Sequence, residues 1–193
     1  MQAGNSESGL NEAASKIEQS PRLVFQYGSN CLDAQINGND RLKGNARFVS
    51  TAETVEDYEL AFDVFSNVRN CAAADIVPKP GAKAWGVLYE IPEYLVGRET
   101  ARAHARKSLD AIEGQGKNYE RKEIRVRKPD GHVVEALTYT VITPCDGLTT
   151  GIDYVRYIIA GFRERGIPTA YIDKVKQIAV ANNSCIAAAV ERL

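Results

Sequence analysis

Two short stretches carry residue types at spacings that could do chemistry. In Phe25-Gln26-Tyr27-Gly28-Ser29-Asn30 an apolar run ends in small and polar residues. A turn of that composition can converge backbone N–H groups on one anion, either a carboxylate or an oxyanion. An ordinary strand-to-loop turn uses the same residues, so the stretch is ambiguous alone. In Leu109-Asp110-Ala111-Ile112-Glu113-Gly114 a carboxylate stands directly before a glycine stop. If the preceding residues are helical, Glu113 falls in the last turn, where the negative end of the helix disfavours its charge and tightens its hold on a proton. A raised carboxyl pKa suits general acid–base work, and a solvated surface glutamate is the alternative.

Other candidates are poorer. Ser29 with His104 or His132 lacks a G-x-S-x-G elbow, and His132 falls in a predicted hairpin loop, which disfavours a serine triad. Cys31 follows the turn directly, but a free cysteine usually packs as a small apolar residue. Arg121, Lys122, Arg125, Arg127 and Lys128 are interrupted by Glu123 and have no interleaved aromatics for base stacking, so they read as a solvated strand. Gly28 belongs to no G-x-G-x-x-G or phosphate-loop pattern, and no nucleotide cofactor is implied.

The elements that must position these residues are mostly strands, followed by helices. Leu23-Val24-Phe25 reads as a buried strand entering the turn at Gly28. Further β-type stretches lie at 46–50, 58–65, 72–77, 83–91, 119–127 and 133–143, rich in Val, Ile, Tyr and Phe. Pro129-Asp130-Gly131 supplies the fixed and the positive φ of a hairpin loop between the last two. Helices are predicted over 100–112, over 153–165 ending at Gly166, and over 169–182 with Pro168 near its start. This order gives an α+β fold, with an antiparallel sheet curled or closed into a small barrel and flanked by helices.

Composition sets the remaining bounds. With 193 residues, 44% of them apolar, the chain fits one domain, here assigned to residues 21–185. Residues 1–20 are too poor in apolar anchors and read as a mobile leader, and residues 186–193 as a C-terminal tail. Twenty-four Lys and Arg against 25 Asp and Glu give a net charge of -1, which disfavours nucleic acid and anionic membranes as partners. No run approaches the roughly 20 apolar residues of a membrane helix, and a signal peptide is not evident, so a cytoplasmic location is expected. Cys31, Cys71, Cys145 and Cys185 are dispersed without a C-x-x-C, which implies free thiols and no zinc site.

Taken in order, these segments resemble the γ-glutamyl cyclotransferase family, which includes plant defence-associated and antibiotic-maturation proteins. Tyr27-Gly28-Ser29-Asn30 is similar to its Y-G-S-N turn, Trp85-Gly86-Val87-Leu88-Tyr89 to a W-G-V-L strand followed by an aromatic, and Leu109 to Gly114 to its L-D-x-x-E-G segment. Tyr119 falls where the family often places a tyrosine. Tyr154, Gly161, Gly166-Ile167-Pro168 and Tyr171 resemble the tail of the γ-glutamyl dipeptide-type enzymes rather than the shorter glutathione-specific ones. The resemblance covers about residues 22–180. Cys31 departs from it where Leu or Met is usual, and Gln26 where a small or apolar residue is common.

The resemblance implies a small closed barrel whose Y-G-S-N turn and glutamate face one cavity, with no metal and no cofactor. It implies Glu113 as the catalytic residue, with Tyr27, Gly28, Ser29, Asn30, Tyr119 and Tyr154 binding substrate and Asn30 also supporting the turn. The implied substrate is a small γ-glutamyl compound whose own α-amino group attacks the γ-carbonyl, releasing 5-oxoproline and an amine or amino acid. A γ-glutamylated biosynthetic amine or protein side chain, or a non-catalytic binding module, are the other readings of the same fold, and a homodimer is compatible with it.

Overall fold

The computed structural model describes residues 21–193, and the leader reading of residues 1–20 lies outside the described residues. In chain order the strands are β1 (Pro21–Gln26), β2 (Arg47–Thr54), β3 (Tyr58–Ser66), β4 (Cys71–Pro78), β5 (Trp85–Pro92), β6 (Tyr119–Arg127) and β7 (Val133–Val141). Five of them close a barrel in the order β1-β5-β2-β6-β7. Its strand pairs are antiparallel except the closing one, where β1 meets β7 in parallel at Val24 and Leu137. The expected α+β fold built on a small, mainly antiparallel barrel is what the chain adopts.

Strands β3 and β4 pair only with each other, as an antiparallel ribbon beside the barrel. Tyr58, Leu60, Phe62 and Val64 alternate inward along β3, the period-2 pattern of a half-buried strand. On β4 the run Cys71-Ala72-Ala73-Ala74-Asp75-Ile76 is buried throughout, and its three alanines let larger side chains approach the backbone. The β6–β7 hairpin turns at residues 128–132, where Gly131 takes φ +86° and its N–H bonds the Lys128 carbonyl at 2.9 Å.

The helices are α1 (Asp33–Ile36), α2 (Arg98–Ala103), α3 (Leu109–Glu113), α4 (Ile152–Arg165), α5 (Thr169–Asn182) and α6 (Ala187–Val190). Along α4, Tyr154, Val155, Ile158, Ile159 and Phe162 recur at helical spacing and are buried, and the helix stops at Gly166 with φ +73°. Helix α5 starts directly after Pro168. Among the described residues no helix is long and apolar enough to cross a membrane.

Two expectations need correction. The single helix over 100–112 is two, because the chain leaves α2 at His104, passes through Ala105 at φ +51°, and restarts at Ser108. Ser108 Oγ caps the second helix by accepting from Ala111 N at 3.0 Å, and Arg106 Nη2 ties the break to the Leu42 carbonyl at 2.8 Å. The stretch set apart as a tail also packs: α6 carries Val190, only 2% exposed, into the hydrophobic core.

One close approach fixes the geometry around the turn after β1. A Cβ on Gly161 of α4 would lie 2.4 Å from Leu32 N and 2.7 Å from the Cys31 carbonyl carbon. Helix and turn therefore meet backbone to backbone, and only glycine allows it.

Candidate active site

The end of β1, the turn after it and the end of α3 meet over one cavity of about 40 Å³. All seven residues singled out in the sequence line it: Tyr27, Gly28, Ser29 and Asn30 from the turn, Glu113 from α3, Tyr119 from β6 and Tyr154 from α4. Gln26, Ala74 and Tyr139 complete the wall. An outer groove of about 290 Å³ shares Ser29, Asn30, Glu113, Tyr119 and Tyr154, and runs out past Arg41 and the β3–β4 connection from Val64 to Arg69.

Glu113 is held from two sides. Its Oε1 accepts from Asn30 Nδ2 at 2.7 Å and from Gln26 Nε2 at 3.0 Å, while Arg41 Nη1 donates to Asn30 Oδ1 at 2.8 Å. Burial raises its pKa above the usual carboxylate value, and the two amide hydrogen bonds and the Arg41 charge pull it partly back. The direction matches the sequence reading but the dominant cause differs. A five-residue helix has little dipole, whereas desolvation acts on a part-buried carboxylate set among tyrosines and β1.

The helix that carries Glu113 is fixed by its own aspartate. Asp110 is 2% exposed, accepts from the Tyr139 hydroxyl at 2.8 Å and pairs with Arg121 at 3.1 Å. Gly114 then ends the helix at φ +71°. In the L-D-x-x-E-G segment the aspartate thus anchors and the glutamate faces the cavity.

The tyrosines divide in the same way. The Tyr27 hydroxyl is buried, donates to the Tyr139 carbonyl and lies 3.3 Å from Asp75 Oδ1, so it pins the turn rather than reaching into the cavity. Tyr119 donates to the Ala74 carbonyl at 2.8 Å, and Tyr154 Oη accepts from Ala74 N at 3.1 Å. Both rings are thereby fixed on one β4 residue, and Tyr154 has its pKa pushed up to about 12 by burial. Burial raises Asp75 as well, since it lies beneath Tyr27.

Gly28 is needed for room. Its Cβ would sit 3.4 Å from both Ala74 Cβ and Tyr154 Oη, so a methyl group just fits and a branched side chain does not. Gly28→Val is therefore expected to weaken substrate binding by about tenfold or more, read as a rise in KM with the circular dichroism spectrum unchanged. Unaltered affinity would count against the turn as a substrate cradle.

The family assignment rests on more than these contacts. The family model described as "Gamma-glutamyl cyclotransferase, AIG2-like" matches residues 24–157. This chain belongs to that family. It is 27% identical over 161 residues to the mouse protein named gamma-glutamylcyclotransferase, covering 81% of this chain and 78% of the mouse one. The human protein of the same name is 27% identical over 176 residues, covering 89% of this chain and 85% of its own. A solved structure titled "Gamma-glutamyl cyclotransferase" superposes with a TM-score of 0.67 at 25% identity, over 81% of this chain and 86% of that one.

Within a γ-glutamyl cyclotransferase-like barrel, the poorer candidates fall outside the cavity. His132 is exposed at the hairpin and His104 at the end of α2. Cys31 is fully buried, donates to the Gln26 carbonyl at 3.0 Å, and burial pushes its thiol far above the range where a thiolate forms. Along β6 Arg121 pairs with Asp110, Lys122 donates to the Tyr58 hydroxyl and Arg125 and Arg127 are exposed, while Ile124 and Val126 point inward. Four site residues carry no site role in the sequence reading: Gln26, Ala74 and Tyr139 of the cavity and Arg41 of the groove. Gln26 stands within the Phe25–Asn30 stretch without a role of its own there, and Arg41 lies in an irregular segment with no local signal.

Proposed function

We propose that this protein is a γ-glutamyl cyclotransferase that releases 5-oxoproline from a small γ-glutamyl compound, with Glu113 moving the protons. The observation that supports this most directly is a carboxylate of raised pKa at the wall of a small polar cavity, beside a turn with hydrogen-bond donors to spare. Among the described residues, the backbone N–H groups of Gly28, Ser29 and Asn30 have no acceptor. They are suited to hold the α-carboxylate of the glutamyl group or the developing oxyanion.

The substrate brings its own nucleophile. Its α-ammonium gives one proton to Glu113, and the freed lone pair attacks the γ-carbonyl carbon. The attacking nitrogen loses a second proton as the lactam forms, the γ-carbon to leaving-nitrogen bond breaks, and the leaving nitrogen gains two protons and departs as an ammonium. One carboxylate that takes and returns protons in turn is sufficient, provided the substrate is held folded, and a small cavity enforces that. The outer groove would hold the leaving portion. Arg41 and Arg69 give it positive charge, which favours a leaving portion that bears a carboxylate over one that bears an ammonium.

Product identification by mass tests this reading. Incubation with a γ-glutamyl amino acid is expected to yield 5-oxoproline and the free amino acid. Free glutamate as the product would mean water attack and a hydrolase.

A further inference from the structure

Glu113 presents its two oxygens to different surroundings. Oε1 receives both side-chain amides, Gln26 Nε2 and Asn30 Nδ2, at 3.0 and 2.7 Å. Among the described residues nothing donates to Oε2, and it is not a buried orphan, so it is left accessible at a residue that lines both the cavity and the groove. We propose that Gln26 is a positioning residue which, together with Asn30, occupies both lone-pair directions of Oε1, so that Oε2 alone takes the proton from the substrate's α-nitrogen and returns it to the leaving nitrogen. This rests on Glu113 as the proton-transfer group.

The chemistry of a carboxylate oxygen supports the assignment. Each oxygen has two in-plane lone pairs, and two N–H donors use both. A proton on Oε1 would have to displace one amide, whereas a proton on Oε2 displaces nothing. Asn30 is itself oriented, since Arg41 donates to its Oδ1 and leaves only its N–H group for Glu113. Gln26 is equally constrained. It is 6% exposed, ends β1 opposite Val87, and its carbonyl is bonded by Cys31 Sγ and lies where a Cβ on Gly86 would be 2.3 Å away.

A merely structural glutamine would be satisfied by Glu113 without affecting proton transfer, and the pH dependence separates the two roles. The groups facing Glu113 are the Arg41 guanidinium, Tyr27 and Cys31 from β1 and its turn, Tyr119 from β6, Tyr139 from β7 and Tyr154 from α4. Burial holds those tyrosines and the thiol protonated through neutral pH. Asp75, which Tyr27 bonds, and Asp63, raised to about 6 by burial and by the Asp75 charge, do not bond Gln26. Removing the Gln26 donor therefore acts on Glu113 alone, and because that donor favours the ionised form, its loss raises the pKa.

The test is the pH profile of kcat/KM for wild type, Gln26→Met and Gln26→Glu on one γ-glutamyl amino acid. Methionine keeps the length and loses the donor, and glutamate keeps the shape and sets a like charge against Glu113. The acid limb is expected to move up by about one pH unit with methionine and further with glutamate, with roughly tenfold loss below the limb and recovery above it. A uniform loss at every pH with an unmoved limb, in either folded variant, overturns the assignment. Glu113→Gln run alongside distinguishes the two layers. If that protein is active, the role of Glu113 falls and that of Gln26 with it. If it is inactive while the Gln26 limb is unmoved, only the positioning role falls.

Discussion

Replacing Glu113 by glutamine is expected to lower turnover by about 10² or more while leaving the fold intact. The amide oxygen of the new side chain can accept from both Gln26 and Asn30, as Oε1 does, which leaves its NH₂ group facing the cavity where Oε2 now stands. The hydrogen-bonded frame thus survives and only the group that accepts a proton is lost. Turnover measured together with circular dichroism and thermal melting would check this. Near-normal activity in a folded Glu113→Gln protein removes Glu113 from the mechanism. Glu113→Asp is less informative, since shortening the side chain breaks the two amide contacts along with the proton path.

Blocking the substrate's α-amino group should have an effect at least as large. Cyclisation needs that nitrogen's lone pair, and an N-acetyl group delocalises it into an amide, so an N-acetyl-γ-glutamyl amino acid is expected not to turn over. Because the cavity is small, about 40 Å³, the acetyl group could also act by exclusion, and a competition assay separates these causes. A blocked compound that inhibits by occupying the site yet is never cleaved supports internal attack. One cleaved to N-acetylglutamate would show that water is the nucleophile and would end the cyclotransferase reading. One that neither binds nor reacts calls for a smaller N-formyl group in the same assay.

Much of the architecture was legible because its signals are local. Phe25 to Asn30 announces a strand and a turn, Pro129-Asp130-Gly131 a hairpin, and Gly114 and Gly166 two helix ends, and each adopts the conformation its residues favour. The break between α2 and α3 was not legible. Ala and Arg at 101–106 favour helix, and nothing local marks Ala105 for a left-handed φ. The loop is imposed by tertiary contacts, chiefly Arg106 reaching the Leu42 carbonyl, although Ser108 three residues before Ala111 was a capping signal that helix propensity obscured. Nor could the alternation along β3 or the apolar run of β4 reveal that these strands leave the barrel, since the same patterns serve a ribbon or a barrel wall.

The candidate site was legible in its motifs and not in its connections. Glu113 and the Tyr27–Asn30 turn stood out by sequence, and the fold brings them to one cavity. Gln26 was out of reach because its contact with Glu113 spans 87 positions, and a glutamine at the end of a strand has no distinctive pattern. Conversely, Tyr27 carries a hydroxyl that looks available from the sequence and is already used within the protein.

The contact at Gly161 limits how such a cavity can diversify. Since α4 rests on the backbone of residues 31 and 32 with no side chain between, the gap separating Tyr154 from the turn cannot be widened or narrowed by exchanging one apolar residue for another along that helix. Any larger residue at 161 would drive the whole wall outward, and there is no smaller one to choose. Under the proposed function, selectivity for the leaving portion would therefore diversify mainly through the open 64–69 connection, where Phe65 and Val68 already face solvent, while the inner chamber keeps its size.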